Sequence, residues 1–219
     1  MAYYIDAEKM SLDDVQKRIT GTDLVPSRCS LLENIDEIFI ILQEHGCNTL
    51  ADLRKKLKNS KNIPALSKET GISIPYLTLL RREIESYFPK TYPIGSFDWL
   101  QKSERDTLES SGLKNSLVLY EALNTARKRE EVVTALGVDA VFVDAISALV
   151  DLTRIQWISP TAARMLVSAG YKDAKMVSSA DPDELCSDLE RVNKEYKYFK
   201  GKIGLRDVRR LVKAASYVS

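Results

Sequence analysis

The chain has 219 residues, of which 44% are hydrophobic and 29% charged, enough apolar content for the core of one large or two modest domains. Its longest uninterrupted apolar run, residues 38–42, excludes a helix that spans a bilayer. The net charge of +1 conceals an alternation: residues 1–53 carry −6, residues 54–95 carry +6, residues 96–190 carry −6 and residues 191–219 carry +7.

Helical punctuation runs along the whole sequence. Ser11 precedes Leu12, Val15 and Ile19, which share one helix face. Pro26-Ser27 opens a longer helix in which Leu31, Leu32, Ile35, Ile38, Phe39 and Leu42 keep the helical period up to a stop at Gly46. Thr49 caps a short helix with Leu50, Leu53 and Leu57 inside and Arg54, Lys55, Lys56 and Lys58 outside. Gly71-Ile72-Ser73-Ile74-Pro75 is a stop followed by a start, leading into a helix that bears Leu77, Leu80 and Ile84. Residues 89–97, with Pro89, Pro93 and Gly95, read as a linker.

Ser103 starts the next helix, which ends near Gly112, and residues 116–123 and 127–136 read as two more. Residues 139–152 are apolar almost all round, which predicts a central buried helix. Ser159-Pro160 starts another that runs to Gly170, and Asp181-Pro182 with Glu184 starts the one after it. Beyond Gly204, Leu205, Val208, Leu211 and Val212 predict a terminal amphipathic helix. The expectation is an all-α protein of roughly a dozen short helices.

Two landmarks recur at one offset. Gly46 and Gly112 lie 66 positions apart, and so do Gly71 and Gly137; a third, less regular copy starts at Gly170. Each copy alone leaves an apolar face exposed, so tandem packing is required. The expected organisation is an N-terminal helical arm (1–26), a first repeat unit (27–92), a second (93–153) and a third (154–219) that carries the basic C-terminal end.

Leu152, Ile155, Trp157-Ile158-Ser159-Pro160, Ala163 and Leu166 resemble the helix-hairpin-helix motif, Leu-x-x-Ile-x-Gly-Val-Gly-Pro-x-x-Ala-x-x-Leu. With Val177, Asp181-Pro182 and Leu185 the stretch is similar to an uncharacterised family, a domain of unknown function with tandem helix-hairpin-helix-like repeats. The resemblance covers residues 145–215 closely and extends more loosely towards Ser27. It implies tandem SAM-like helical repeats. DNA-binding members of the superfamily hold a phosphate on backbone N–H groups at the two hairpin glycines. Those positions are Trp157 and Ser159 here, and an indole obstructs that approach.

Enzymatic constellations are missing from the sequence. His45 is the single histidine, the three cysteines (Cys29, Cys47, Cys186) match no metal spacing, and Gly201-Lys202 lacks the rest of a phosphate-binding loop. The chain is therefore expected to be no enzyme and to use no metal, cofactor or small-molecule substrate. The opening Met-Ala-Tyr-Tyr-Ile-Asp has no signal-peptide character, so a cytoplasmic protein with reduced thiols and no membrane contact is expected.

The candidate site is the basic, aromatic C-terminal stretch. Tyr196, Lys197, Lys200, Lys202, Arg206, Arg209 and Arg210, with Ser159 at the hairpin, combine cations for phosphates with an aromatic ring for bases. A second basic cluster, residues 54–61, contains no aromatic. Two functions stay open at this stage: sequence-independent nucleic-acid binding through the C-terminal segment, or a protein-interaction adaptor without nucleic-acid contact.

Overall fold

Ser11 accepts a hydrogen bond from the Asp14 amide, 3.1 Å away, and so starts the first helix, α1 (Leu12–Thr20). The computed structural model describes residues 2–218. Among these there are thirteen α-helices, two 3₁₀ segments and two isolated β-bridges, with no strand. The chain divides into two compact units, residues 5–88 and residues 89–218 together with 2–4.

In the N-terminal unit α1 is followed by a 3₁₀ segment (Pro26–Leu32), α2 (Ile35–Glu44), α3 (Leu50–Leu57), α4 (Asn62–Thr70) and α5 (Ile74–Glu85). The single helix expected from Pro26 to Leu42 is broken. Asn34 takes the left-handed conformation (φ 52°), which ends the 3₁₀ segment and starts α2, and Leu32 is left 43% exposed. Helix α3 is too short to hold on propensity alone. Burying Leu50, Leu53 and Leu57 completely, at roughly 1.5–3 kcal/mol each, is what fixes it, packed with α4 against α5. Arg54 donates two hydrogen bonds to Glu85 (2.9 and 3.0 Å) and lies 3.6 Å from the centre of the Phe88 ring. Lys56 donates to the His45 carbonyl, so two cations of the 54–61 cluster serve the fold of this unit.

The C-terminal unit holds a 3₁₀ turn (Ile94–Ser96), α6 (Lys102–Ser110), α7 (Ser116–Leu123), α8 (Ala126–Leu136) and α9 (Ala140–Leu152). After these come α10 (Pro160–Ser168), α11 (Ala174–Ser178), α12 (Pro182–Tyr196) and α13 (Leu205–Ala215). Helix α9 is not buried all round. Val143, Ile146, Leu149, Val150 and Leu152 face the core, but Val141 is 76% exposed, because α7, α8 and α10 cover only part of its circumference.

Arg154 is the hub of this unit. Its side chain, 5% exposed, pairs with Asp151, donates to the carbonyls of Tyr3 and Val218 and lies 4.4 Å from the centre of the Tyr120 ring. Asp151 in turn accepts the Ala174 amide (2.7 Å), so one buried ion pair ties both chain ends to α9 and α11. Tyr3 adds its hydroxyl, 2.9 Å from Ser116 Oγ and 3.2 Å from Thr153 Oγ1.

Helix placement recurs along the chain. Helix α7 lies 66 positions after α3, and α9 starts 66 positions after α5. Helix α10 lies 58 positions after α6. The short helices α3, α7 and α11 start alike, with Thr49, Asn115 and Asp173 each accepting the amide three residues on. Their predecessors end alike too: the amides of Cys47, Leu113 and Tyr171 reach back to the carbonyls of Leu42, Leu108 and Leu166 at 2.9–3.0 Å. In each set the two later helices converge: α3 and α4 pack on α5, α7 and α8 on α9, α11 and α12 on α13.

Candidate nucleic-acid interface

The third copy differs from the other two in a shorter first helix (α11), a longer second one (α12) and, most of all, in the link between its last two helices. The links 71–73 and 137–139 are three residues long and begin with Gly71 (φ 74°) and Gly137 (φ 62°). Each glycine closes its helix by donating to Ser67 or Val133. The matching cap of α12 is Lys197, which donates to Asn193 (2.9 Å) at φ 55°. A lysine there carries the steric cost that glycine avoids, roughly 1–2 kcal/mol. The link then runs on to residue 204 before α13 begins.

Local chemistry holds this longer link in one shape. The Asn193 side chain accepts the Phe199 amide (2.7 Å) and donates to the Phe199 carbonyl (2.9 Å), clamping both backbone groups of one residue. The Phe199 ring folds over Gly201, where a Cβ would stand 2.7 Å from the ring. The Tyr198 hydroxyl lies 3.1 Å from Ser168 Oγ at the end of α10. Phe199 is left 55% exposed and Tyr196 54%.

Tyr198 is also the middle of a stack. Tyr196 lies against it at 5.6 Å between ring centres with an interplanar angle of 19°. On α10, Arg164 approaches the Tyr198 ring to 5.4 Å and the Trp99 ring to 4.9 Å, and Trp99 rests edge-on against the buried Phe97. In the series Trp99, Arg164, Tyr198, Tyr196 one guanidinium contacts two rings, and a third ring stacked on the second ends it at an exposed residue. Glu195 hydrogen-bonds the Tyr196 hydroxyl and adds its charge, which pushes that phenol above its ordinary range. Lys197, Lys200 and Lys202 are exposed and make no ion pair among the described residues.

The residues singled out from the sequence fall into three places. Tyr196 ends α12, Lys197, Lys200 and Lys202 follow it in the link, and Arg206 is exposed on the first turn of α13. Arg209 and Arg210 are engaged elsewhere. Arg209 lies 3.8 Å from Asp183; Arg210, with a side chain 16% exposed, lies 3.6 Å from Asp207 and 4.5 Å from the centre of the Trp157 ring. Ser159 caps the opposite end of α10 from Ser168, accepting the Ala162 amide (3.2 Å). Nine helical residues at 1.5 Å of rise put those ends about 13 Å apart. Trp157 keeps a left-handed backbone (φ 71°), the conformation a hairpin glycine adopts freely, with its indole 46% exposed under Arg210.

Sequence reasoning missed Trp99, Arg164, Ser168 and Asn193. Arg164 and Ser168 carried a signal, since positions four apart share a helix face. Trp99 carried none, because only the fold brings it to α10. Cys47 is buried, which pushes its thiol up to about 11 and leaves it a packing residue. Among the described residues no group of three histidine, cysteine or carboxylate side chains is placed to hold a metal ion, and no helix is long and apolar enough to cross a membrane.

A family described as a domain of unknown function, DUF4332, matches residues 99–217. The chain belongs to this family. No curated protein and no solved structure matches it. The DUF4332 match begins at Trp99, the inner end of the aromatic series, and takes in α6 to α13, wider than the stretch resembling a hairpin motif. Both the α8–α9 link and the α12–α13 link therefore lie inside the DUF4332 domain.

Proposed function

We propose that this protein is a non-catalytic binding module of helix-hairpin-helix-like repeats that holds nucleic acid without sequence preference. Contact is made through the link 197–204 and the start of α13. One observation carries the reading: where the first two copies have a three-residue glycine link, the third has a clamped loop with three unpaired lysines beside exposed Tyr196 and Phe199. Loops held by a rigid scaffold are where binding residues concentrate. The hairpin makes no contribution in this reading, since Trp157 puts a bulky indole where the motif has a glycine.

Fluorescence anisotropy against salt tests it. Three phosphate contacts give a slope of log affinity on log salt of about −2 for a single strand and about −2.7 for a duplex. Charge reversal of Lys200 and Lys202 is expected to flatten that slope and weaken binding. Binding that is absent or insensitive to salt contradicts the reading.

A protein partner is the reading favoured by a different observation. Helix α8 buries none of its residues, Val141 at the start of α9 stands 76% exposed, and a groove of about 420 Å³ is lined by Val133, Ala140 and Val143 together with Arg129, Glu130 and Asp144. Co-purification of a partner that survives nuclease treatment and is lost in Val141→Glu would support it over nucleic acid.

A further inference from the structure

We infer that the α12–α13 link takes single-stranded nucleic acid in preference to duplex, stacking bases on Tyr196 and Phe199 while Lys197, Lys200 and Lys202 hold the phosphates. The inference rests on the nucleic-acid reading of the same loop and specifies the form of the ligand. Single exposed apolar side chains are ordinary on protein surfaces and call for no ligand. This loop differs in two ways. Its Phe199 is held exposed by construction, with amide and carbonyl both bonded to Asn193 and the ring seated over Gly201. Its Tyr196 is the open end of a stack already built from Trp99, Arg164 and Tyr198 at spacings of 4.9, 5.4 and 5.6 Å.

A flat ring added beyond Tyr196 continues that series, and each nucleobase offers such a π face. Bases in a duplex are already stacked on each other and present only their edges, so the same rings gain little from them. The lysines supply the second requirement, exposed cations within a few residues of the two rings and in no ion pair among the described residues. Nothing in this pattern reads base edges, which accords with binding that tolerates any sequence.

The test uses the full chain, with oligothymidylate, oligouridylate and a duplex of equal length at low salt. Either single strand is expected to bind at least ~10-fold tighter than the duplex, and the ratio between the two strands names the preferred sugar. Tyr196→Ala and Phe199→Ala are each expected to weaken single-strand binding roughly 5- to 150-fold, with the salt slope unchanged. Tyr196→Phe, which keeps the ring, is expected to bind like the parent. Equal affinity for duplex and single strand, or alanine variants without effect, overturns this inference and leaves the nucleic-acid reading in place. Absence of binding to all three probes overturns both.

Discussion

The α8–α9 link and the α12–α13 link join equivalent helices in successive copies, yet they meet different demands. The first is Gly137-Val138-Asp139: a glycine closes α8, and Asp139 caps α9 by accepting the Val141 amide at 2.6 Å. Each of its end residues serves the turn. The second begins with a strained lysine, lacks a side-chain cap on α13, and uses Asn193 to clamp a loop that presents rings and cations outward. Backbone strain such as that at Lys197 persists where the surrounding structure over-determines it, and strained residues cluster at functional sites. The first link commits its end residues to helix ends, whereas the second leaves exposed rings and lysine side chains that no helix end uses, which is why the proposed contact is placed there.

Removing the hub of the C-terminal unit, the unit that contains both links, is the largest perturbation. Arg154→Met leaves Asp151 without its buried partner and is expected to cost the C-terminal unit about 3–5 kcal/mol, read as a lower denaturation midpoint. Giving the third copy the residue of the second is more selective. Asn193→Val, matching Val133, removes both bonds to Phe199, worth about 0.5–1.5 kcal/mol each. Amide relaxation should show residues 197–204 becoming mobile while 137–139 stay rigid.

Exchanging the caps comes next. Gly137→Lys is expected to destabilise by about 1–2 kcal/mol, and Lys197→Gly to stabilise by somewhat less while lowering the salt slope by about one contact. If both exchanges are neutral, the two caps are not under the same backbone constraint. The smallest effect lies in the first copy, where Tyr76 corresponds to Phe142. Burial pushes the Tyr76 phenol up to about 12, and its hydroxyl donates to the Leu31 carbonyl (2.9 Å). Its neutral form is favoured by folding, so this contribution is intact below pH 10 and falls as pH rises towards 12. Tyr76→Phe should flatten that fall in a pH series of melting midpoints.

Most of the fold was legible because it is written in short-range chemistry. N-caps at Ser11, Thr49 and Ser159 and glycines at 46, 71, 112, 137 and 170 place helix ends with little help from tertiary structure. The break at Asn34 was not legible, since apolar spacing continues through it and only packing shows the chain turning there. The site was half legible. Its lysines and Tyr196 lie in one stretch, so composition found them. Charge alone could not show that Arg209 turns to Asp183 and Arg210 to Trp157, or that Trp99 and Arg164 complete the stack, because those contacts join distant positions; the Arg210–Asp207 pair, three apart on α13, was within reach of helix spacing. Lys197 in a glycine's place was hidden by the irregular spacing of the third copy.

The central claim, that the α12–α13 link and not the other links or the hairpin meets the ligand, is tested most directly by backbone amide chemical shifts during titration with oligothymidylate. The account predicts shifts at residues 193–204 and at Arg164 and the Trp99 indole, with 71–73, 137–139 and 157–159 unmoved. Shifts centred on the hairpin at Trp157 and Ser159, or none at 197–204, would contradict it.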